Sequence, residues 1–159
     1  MTEIRVKVAD YAVARDDTTI ATIGLGSCIA IALYDSVNRI GGLAHILLPS
    51  ISLSRDASNA AKFPETAVPM MLREMRKLGA NGRITAKIAG GSSMFGSLLP
   101  GGGINMGERN IVATREALAA NGVTLTAEDV GGDYGRSIYF DLSDGKVVVK
   151  SLKAGESVL

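Results

Sequence analysis

The chain contains one cysteine, Cys28, and one histidine, His45, and both fall in a single apolar, glycine-punctuated stretch from Ile20 to Leu48. These residue types point to thiol chemistry. A thiol becomes a nucleophile near neutral pH when a base lies within hydrogen-bond reach, and imidazole is its usual partner. In the run Gly24-Leu-Gly-Ser-Cys28, the glycines at 24 and 26 permit a tight or positive-φ turn that lifts the sulfur to the surface. The same turn aims successive backbone N–H groups, those around Gly26, Ser27 and Cys28, at one point, as an oxyanion hole requires. An imidazole base also needs a third group to orient it, and Thr22, just upstream of the turn, is the candidate.

Three elements must position these groups. Thr18 to Leu25, Ile29 to Tyr34 and Arg39 to Leu47 are rich in β-branched and aliphatic residues and read as strands. Asp35-Ser-Val-Asn38 supplies turn chemistry, so the last two form a hairpin. Counting symmetrically about a turn at residues 36–38 sets position 28 opposite 45 or 46, which brings the thiol and the imidazole together. That register matters, because a lone cysteine among aliphatics otherwise reads as a small buried hydrophobe and a lone histidine as a satisfied core residue. Two further glycine patterns are set aside. Gly24-x-Gly26 lacks the third glycine, the helix and the acid of a dinucleotide fingerprint, and Gly101-Gly-Gly103 is not followed by the lysine and serine of a P-loop.

The remaining elements set the architecture. Ile4, Val6 and Val8 alternate with charged residues as a half-buried strand does, and Tyr11 to Ala14 forms a second short extended piece. Ser50 to Lys62 is polar, without periodicity, and reads as a surface loop beside the site. Thr66 to Leu78 carries Val68, Met71, Leu72, Met75 and Leu78 on a stripe of about 3.6-residue period and ends at Gly79, a helix. A second helix runs from about Gly107 to Ala120 with Ile111, Val112 and Leu118 inward. Ile84 to Ala89, Val123 to Val130, Ser137 to Leu142 and Lys146 to Leu152 read as strands. About nine strands and two main helices, mostly not alternating, imply an α+β class: a single-domain layered α/β sandwich over residues 1–159, its helices covering mostly antiparallel or mixed sheets.

Composition narrows the partners. Seventeen basic residues against sixteen acidic ones leave a net charge of +1, which supplies no electrostatic case for nucleic acid or for membrane insertion. Four tyrosines, three phenylalanines and no tryptophan argue against a base-stacking or carbohydrate surface. One cysteine forms no intramolecular disulfide, and one cysteine with one histidine makes a poor metal site, so no metal or cofactor is expected and the reducing cytoplasm fits. The N-terminus lacks the apolar core of a signal peptide, and no apolar run approaches the roughly 20 residues of a transmembrane helix.

Thr22-Ile-Gly-Leu-Gly-Ser-Cys28, the distant His45 with its run ending in Pro49, Ala89-Gly-Gly-Ser-Ser-Met-Phe95 and Asn105-Met-Gly-Glu-Arg-Asn110 together resemble the CheD family, the chemoreceptor glutamine deamidases of chemotaxis. The resemblance runs from about Ile4 to Leu152. It implies a sandwich similar to the catalytic domain of the cytotoxic necrotizing factor toxins, with Cys28, His45 and Thr22 as the catalytic set. It further implies hydrolysis of particular glutamine side chains on methyl-accepting chemotaxis proteins to glutamate through a thioester, without a cofactor. The CheC phosphatase is implied as a regulator that binds as a substrate mimic. The segment Gly96 to Gly103 departs from the family pattern in being longer and richer in glycine, which bears on partner contacts nearby. Ser92, Ser93 and Phe95 are candidate substrate or partner contacts, since polar and aromatic loop residues often flank such clefts. Alternatives from other classes remain: a non-catalytic adaptor binding CheC or receptors through the same cleft, a cysteine protease or transglutaminase, and a methylesterase side activity on receptor glutamates.

Overall fold

The structure is a computed structural model that describes residues 2–93 and 105–159. Ten strands and two helices occur among them: β1 Thr2–Arg5, β2 Tyr11–Arg15, β3 Thr18–Leu25, β4 Ile29–Asp35, β5 Ile40–Ile46, α1 Pro64–Lys77, β6 Ile84–Gly90, α2 Met106–Ala120, β7 Thr124–Val130, β8 Arg136–Asp141, β9 Val147–Ser151 and β10 Gly155–Val158. They form two five-stranded sheets, one in the order β1-β3-β8-β9-β10 and the other β2-β5-β4-β6-β7. Both are mixed, because β1 runs parallel to β3 and β6 parallel to β7 while the other pairs are antiparallel. The expected α+β layered sandwich is what forms.

Strand β4 shows how the layers are built. Side chains alternate across a strand, so Ile29, Ile31 and Leu33 face the helices while Ala30 and Ala32 face the other sheet. The first set packs against Val68, Met71 and Met75 of α1 and Ile111 and Leu118 of α2. The second meets Ile20 of β3 and Ile138 and Phe140 of β8. Alanine on this face lets the two sheets approach closely, and the result is three layers: helices, the β4-centred sheet, and the β3-centred sheet. Among the described residues, no helix is long and apolar enough to cross a membrane.

Helix α1 starts two residues earlier than its apolar stripe suggests, because Pro64 and Glu65 occupy its first turn, where a missing N–H and a negative charge are both suited. It ends as expected: the Gly79 N–H donates to the Arg76 carbonyl and the Ala80 N–H to the Met75 carbonyl, the two bonds of a Schellman motif. The polar segment 50–62 is largely exposed, with two short 3-10 turns, Ile51–Leu53 and Ala60–Lys62. Its last carbonyl, that of Lys62, accepts from the N–H groups of Leu47 and Leu48 and so fixes the exit of β5.

Three expectations are corrected. Val8 is 52% exposed, because β1 stops at Arg5 and the chain turns at Ala9 in the left-handed region (φ 60) to enter β2. Val112 is 47% exposed, since α2 turns Asn110, Ile111, Thr114 and Leu118 inward instead, and two of these are polar residues that hydropathy alone does not select. Strand β10 was not expected: Gly155–Val158 is exposed throughout, and with no buried face it carries no apolar alternation to read.

Gly90, at the end of β6, has φ 111, and a Cβ there would run into the carbonyl oxygen of Cys28. Replacing Gly90 with alanine combines left-handed strain with overpacking against backbone, so the variant is expected to lose about 3 kcal/mol of stability. Denaturant unfolding checks this, and a midpoint unchanged from the parent would contradict it.

Candidate active site

The hairpin sets the site. Ile29 pairs with Ile46 and Ala30 with His45 on either side of a loop spanning Ser36 to Arg39. The Asp35 carboxylate staples this loop by accepting from the N–H groups of Val37 and Asn38 and from the Asn38 amide, and Arg39 closes it at φ 52. The register therefore differs by one or two residues from symmetric counting, and continuing it past Ile29 sets Cys28 opposite Leu47. Parity is preserved relative to the count that pairs 28 with 45, and not relative to the one that pairs it with 46. Cys28 lies two residues before Ala30, the direct partner of His45, so both side chains share the face turned toward the β3-centred sheet, as diagonal cross-strand neighbours. Both are buried, at 8% and 1% exposure.

Thr22 reaches His45 from the facing sheet. Its Oγ1 lies 2.7 Å from His45 Nδ1 and 2.7 Å from the Val6 carbonyl oxygen. A carbonyl only accepts, so the single hydroxyl hydrogen goes to Val6, and Oγ1 must accept from Nδ1–H. This chain of bonds fixes the imidazole tautomer and leaves Nε2 with its lone pair. Among the described residues no group hydrogen-bonds Nε2, which is buried. The His45 backbone is held as firmly, its carbonyl accepting from Ala9 N–H and its N–H donating to the Asp10 carbonyl.

Burial sets the resting protonation. It pushes the Cys28 thiol up from its ordinary value, partly offset by the residue's own backbone N–H. It pulls His45 down from 6.5 to about 4. The resting pair at neutral pH is therefore a neutral thiol and a neutral imidazole, not a preformed ion pair.

The turn before Cys28 is held by its carbonyls. A β-bulge interrupts the β3–β8 register between Thr22 and Leu25, and Gly24 occupies it at φ 76, whereas Gly26 is not among the positive-φ glycines. The carbonyl of Gly26 accepts from Ser92 N–H, that of Ser27 from Asn110 Nδ2 at 2.9 Å, and that of Cys28 from Gly91 N–H. Ser92 is buried, its hydroxyl donating to the Tyr134 carbonyl and accepting from Arg136, so it is engaged inside the fold. Ser93 is half-buried and its N–H donates to the Gly132 carbonyl. Phe95 and the glycine-rich segment 96–103 lie outside the described residues.

Two residues emerge to which the sequence had assigned no role. Arg136, 3% exposed, pairs with Asp129, stacks on the Tyr134 ring and donates to the Gly90 carbonyl and Ser92 Oγ, bracing the 90–92 strand exit. Asn110, fully buried, donates from Nδ2 to both Ser27 and Leu47 carbonyls and so ties together the chain beside Cys28 and beyond His45. Its position in the Asn105 to Asn110 motif was the available signal. A separate cavity of about 750 Å³ is lined by Ile23, Gly24, Tyr134, Arg136, Lys150 and Leu152 among others, and Cys28 and His45 are not among its described lining residues.

Comparison with known proteins decides the family. A family profile described as CheD chemotactic sensory transduction matches residues 47–151. The chain is 44% identical over 96% of its length, and 94% of the relative's, to the probable chemoreceptor glutamine deamidase CheD of Caldanaerobacter subterraneus subsp. tengcongensis. The chain belongs to the CheD family. Two further CheD relatives carrying the same description are those of Syntrophomonas wolfei, 45% identical over 98% of both chains, and Pyrococcus abyssi, 42% identical over 98% of this chain and 96% of its own. The CheD profile begins at Leu47, so it is these near-full-length relatives that extend the similarity across Thr22, Cys28 and His45.

Proposed function

We propose that this protein deamidates specific glutamine side chains of methyl-accepting chemotaxis receptors, with Cys28 as nucleophile, His45 as base and Thr22 as the group that orients it. The observation that carries the reading is the Val6–Thr22–His45 chain of hydrogen bonds. It presents an Nε2 lone pair, without a hydrogen-bond partner among the described residues, on the face that also bears the only thiol. The CheD relatives, described as probable chemoreceptor glutamine deamidases, supply the substrate class.

Because both groups rest neutral, the proton moves as the sulfur attacks. His45 Nε2 takes the thiol proton while a bond forms between Sγ and the carboxamide carbon. The backbone N–H groups of Ser27 and Cys28 receive the resulting oxyanion, a contribution of about 3 kcal/mol per donor. The imidazolium then returns its proton to the departing nitrogen, ammonia leaves, and a thioester remains. Water attacks the thioester carbon, His45 again takes the proton, and the thiol is expelled to give glutamate. The same acyl chemistry acts on a glutamate methyl ester with methanol as the leaving group. A lone reduced thiol at this position fits the cytoplasm.

Incubation with a receptor signalling fragment, followed by site-resolved mass analysis and ammonia determination, tests the reading. Conversion of defined glutamines to glutamate with matching ammonia release is expected. Peptide cleavage or amine incorporation would instead make this a protease or a transglutaminase, and an unmodified receptor would leave only an adaptor that binds CheC or receptors.

A further inference from the structure

The peptide between Ser27 and Cys28 is trans, as are all described peptide bonds, so its carbonyl and its N–H point in opposite directions. Whatever holds the Ser27 carbonyl therefore aims the Cys28 N–H. That holder is the side chain of Asn110, at 2.9 Å from Nδ2, and the same nitrogen reaches the Leu47 carbonyl at 3.2 Å. Asn110 is completely buried on α2, and its Oδ1 has no hydrogen-bond partner among the described residues. A buried amide that leaves its own acceptor unmatched is costly as a purely structural device. Its donor is spent instead on two carbonyls at the mouths of the strands carrying Cys28 and His45. Close approach makes this reach feasible, since a Cβ on Gly107 would collide with the backbone of Gly91 and Ser92.

We infer that Asn110 is a positioning residue for the oxyanion hole: by clamping the Ser27 carbonyl it turns the Cys28 N–H toward the reacting carbonyl oxygen. The inference rests on the deamidase reading and adds to it a residue that touches neither substrate nor thiol.

The test uses the full chain, receptor fragment as substrate, and two variants. Asn110→Ala removes the amide; Asn110→Asp keeps its volume but loses the Nδ2 donors. Alkylation of Cys28 by iodoacetamide serves as a second readout, because displacement at a saturated carbon develops no oxyanion. Loss of one aimed donor is expected to lower kcat about 100-fold. KM and the alkylation rate should each stay within about threefold of the parent. A kcat within threefold of the parent overturns the inference. So does a parallel fall in kcat and alkylation, which would mean that Asn110 merely keeps the thiol in place. Loss of a cooperative thermal transition in both variants likewise overturns it, since Asn110 would then be holding the fold. If the parent itself releases no ammonia from any receptor fragment, the deamidase reading has failed, and that result is distinct from all of these.

Discussion

Replacing Cys28 with alanine is expected to reduce ammonia release from receptor substrate by about 10⁴-fold or more, because no other thiol exists in the chain to take over. The fold should survive. Cys28 sits at the edge of the inter-sheet core beside Ala30 and Ala89, and alanine in place of a thiol removes one heavy atom, a cost of about 1 kcal/mol. Serine at the same position should be almost as inactive. Its hydroxyl is far less acidic than a thiol, and the base that would have to activate it is held well below its ordinary basicity by burial. Ammonia assays paired with denaturant midpoints separate loss of chemistry from loss of structure. Residual deamidation within tenfold of the parent would remove Cys28 from the mechanism.

The parts of this molecule that could be read from sequence are those whose signal is local. Strands β3, β4 and β6 and helix α1 announce themselves by β-branched runs or a helical stripe, and a glycine at 79 ends α1 through backbone bonds that the residue type foretells. The hairpin was legible too, but its register was not, because Arg39 adopts a left-handed conformation that glycine-based turn rules do not assign to arginine. For the pairing of 28 with 45 the error cost little, since a shift of two residues keeps Cys28 and His45 on one face, whereas the pairing with 46 would have separated them. The supporting residues were hidden for a different reason. Asn110 and Arg136 act on carbonyls remote in sequence, those of Ser27, Leu47 and Gly90, and nothing in the local pattern of α2 or β8 reveals which backbone groups will lack partners. Thr22 lies between these cases, since its hydroxyl could be proposed from its position before the turn, whereas the Val6 carbonyl that forces its donor to point away from His45 could not.

Under the proposed mechanism, stability and catalysis depend on the same proton at His45. Substituting asparagine keeps a donor toward Thr22 but removes the basic nitrogen, so ammonia release is expected to fall about 10³-fold, the scale of a lost general base. The pH dependence supplies a second, independent readout. In the folded protein burial holds His45 at about 4, against 6.5 for the free side chain, so between those values the unfolded chain binds a proton that the folded chain does not. Stability therefore falls as pH drops through this window, by about 3 kcal/mol in all, and is free of this penalty above it. Because His45 is the only histidine, the upper part of the window, above the range of the carboxylates, reports on it alone. The parent should lose stability between about pH 6.5 and 5, and His45→Asn should be flat over the same interval. Catalysis should show the same origin: the acid limb of kcat/KM belongs near the depressed value, leaving the enzyme fully active at pH 6, where an ordinary histidine would be mostly protonated. An acid limb centred near 6.5, or a parent whose stability does not change across this interval, would mean that the imidazole is solvated and that the dry, tautomer-fixed base described here is not the one the enzyme uses.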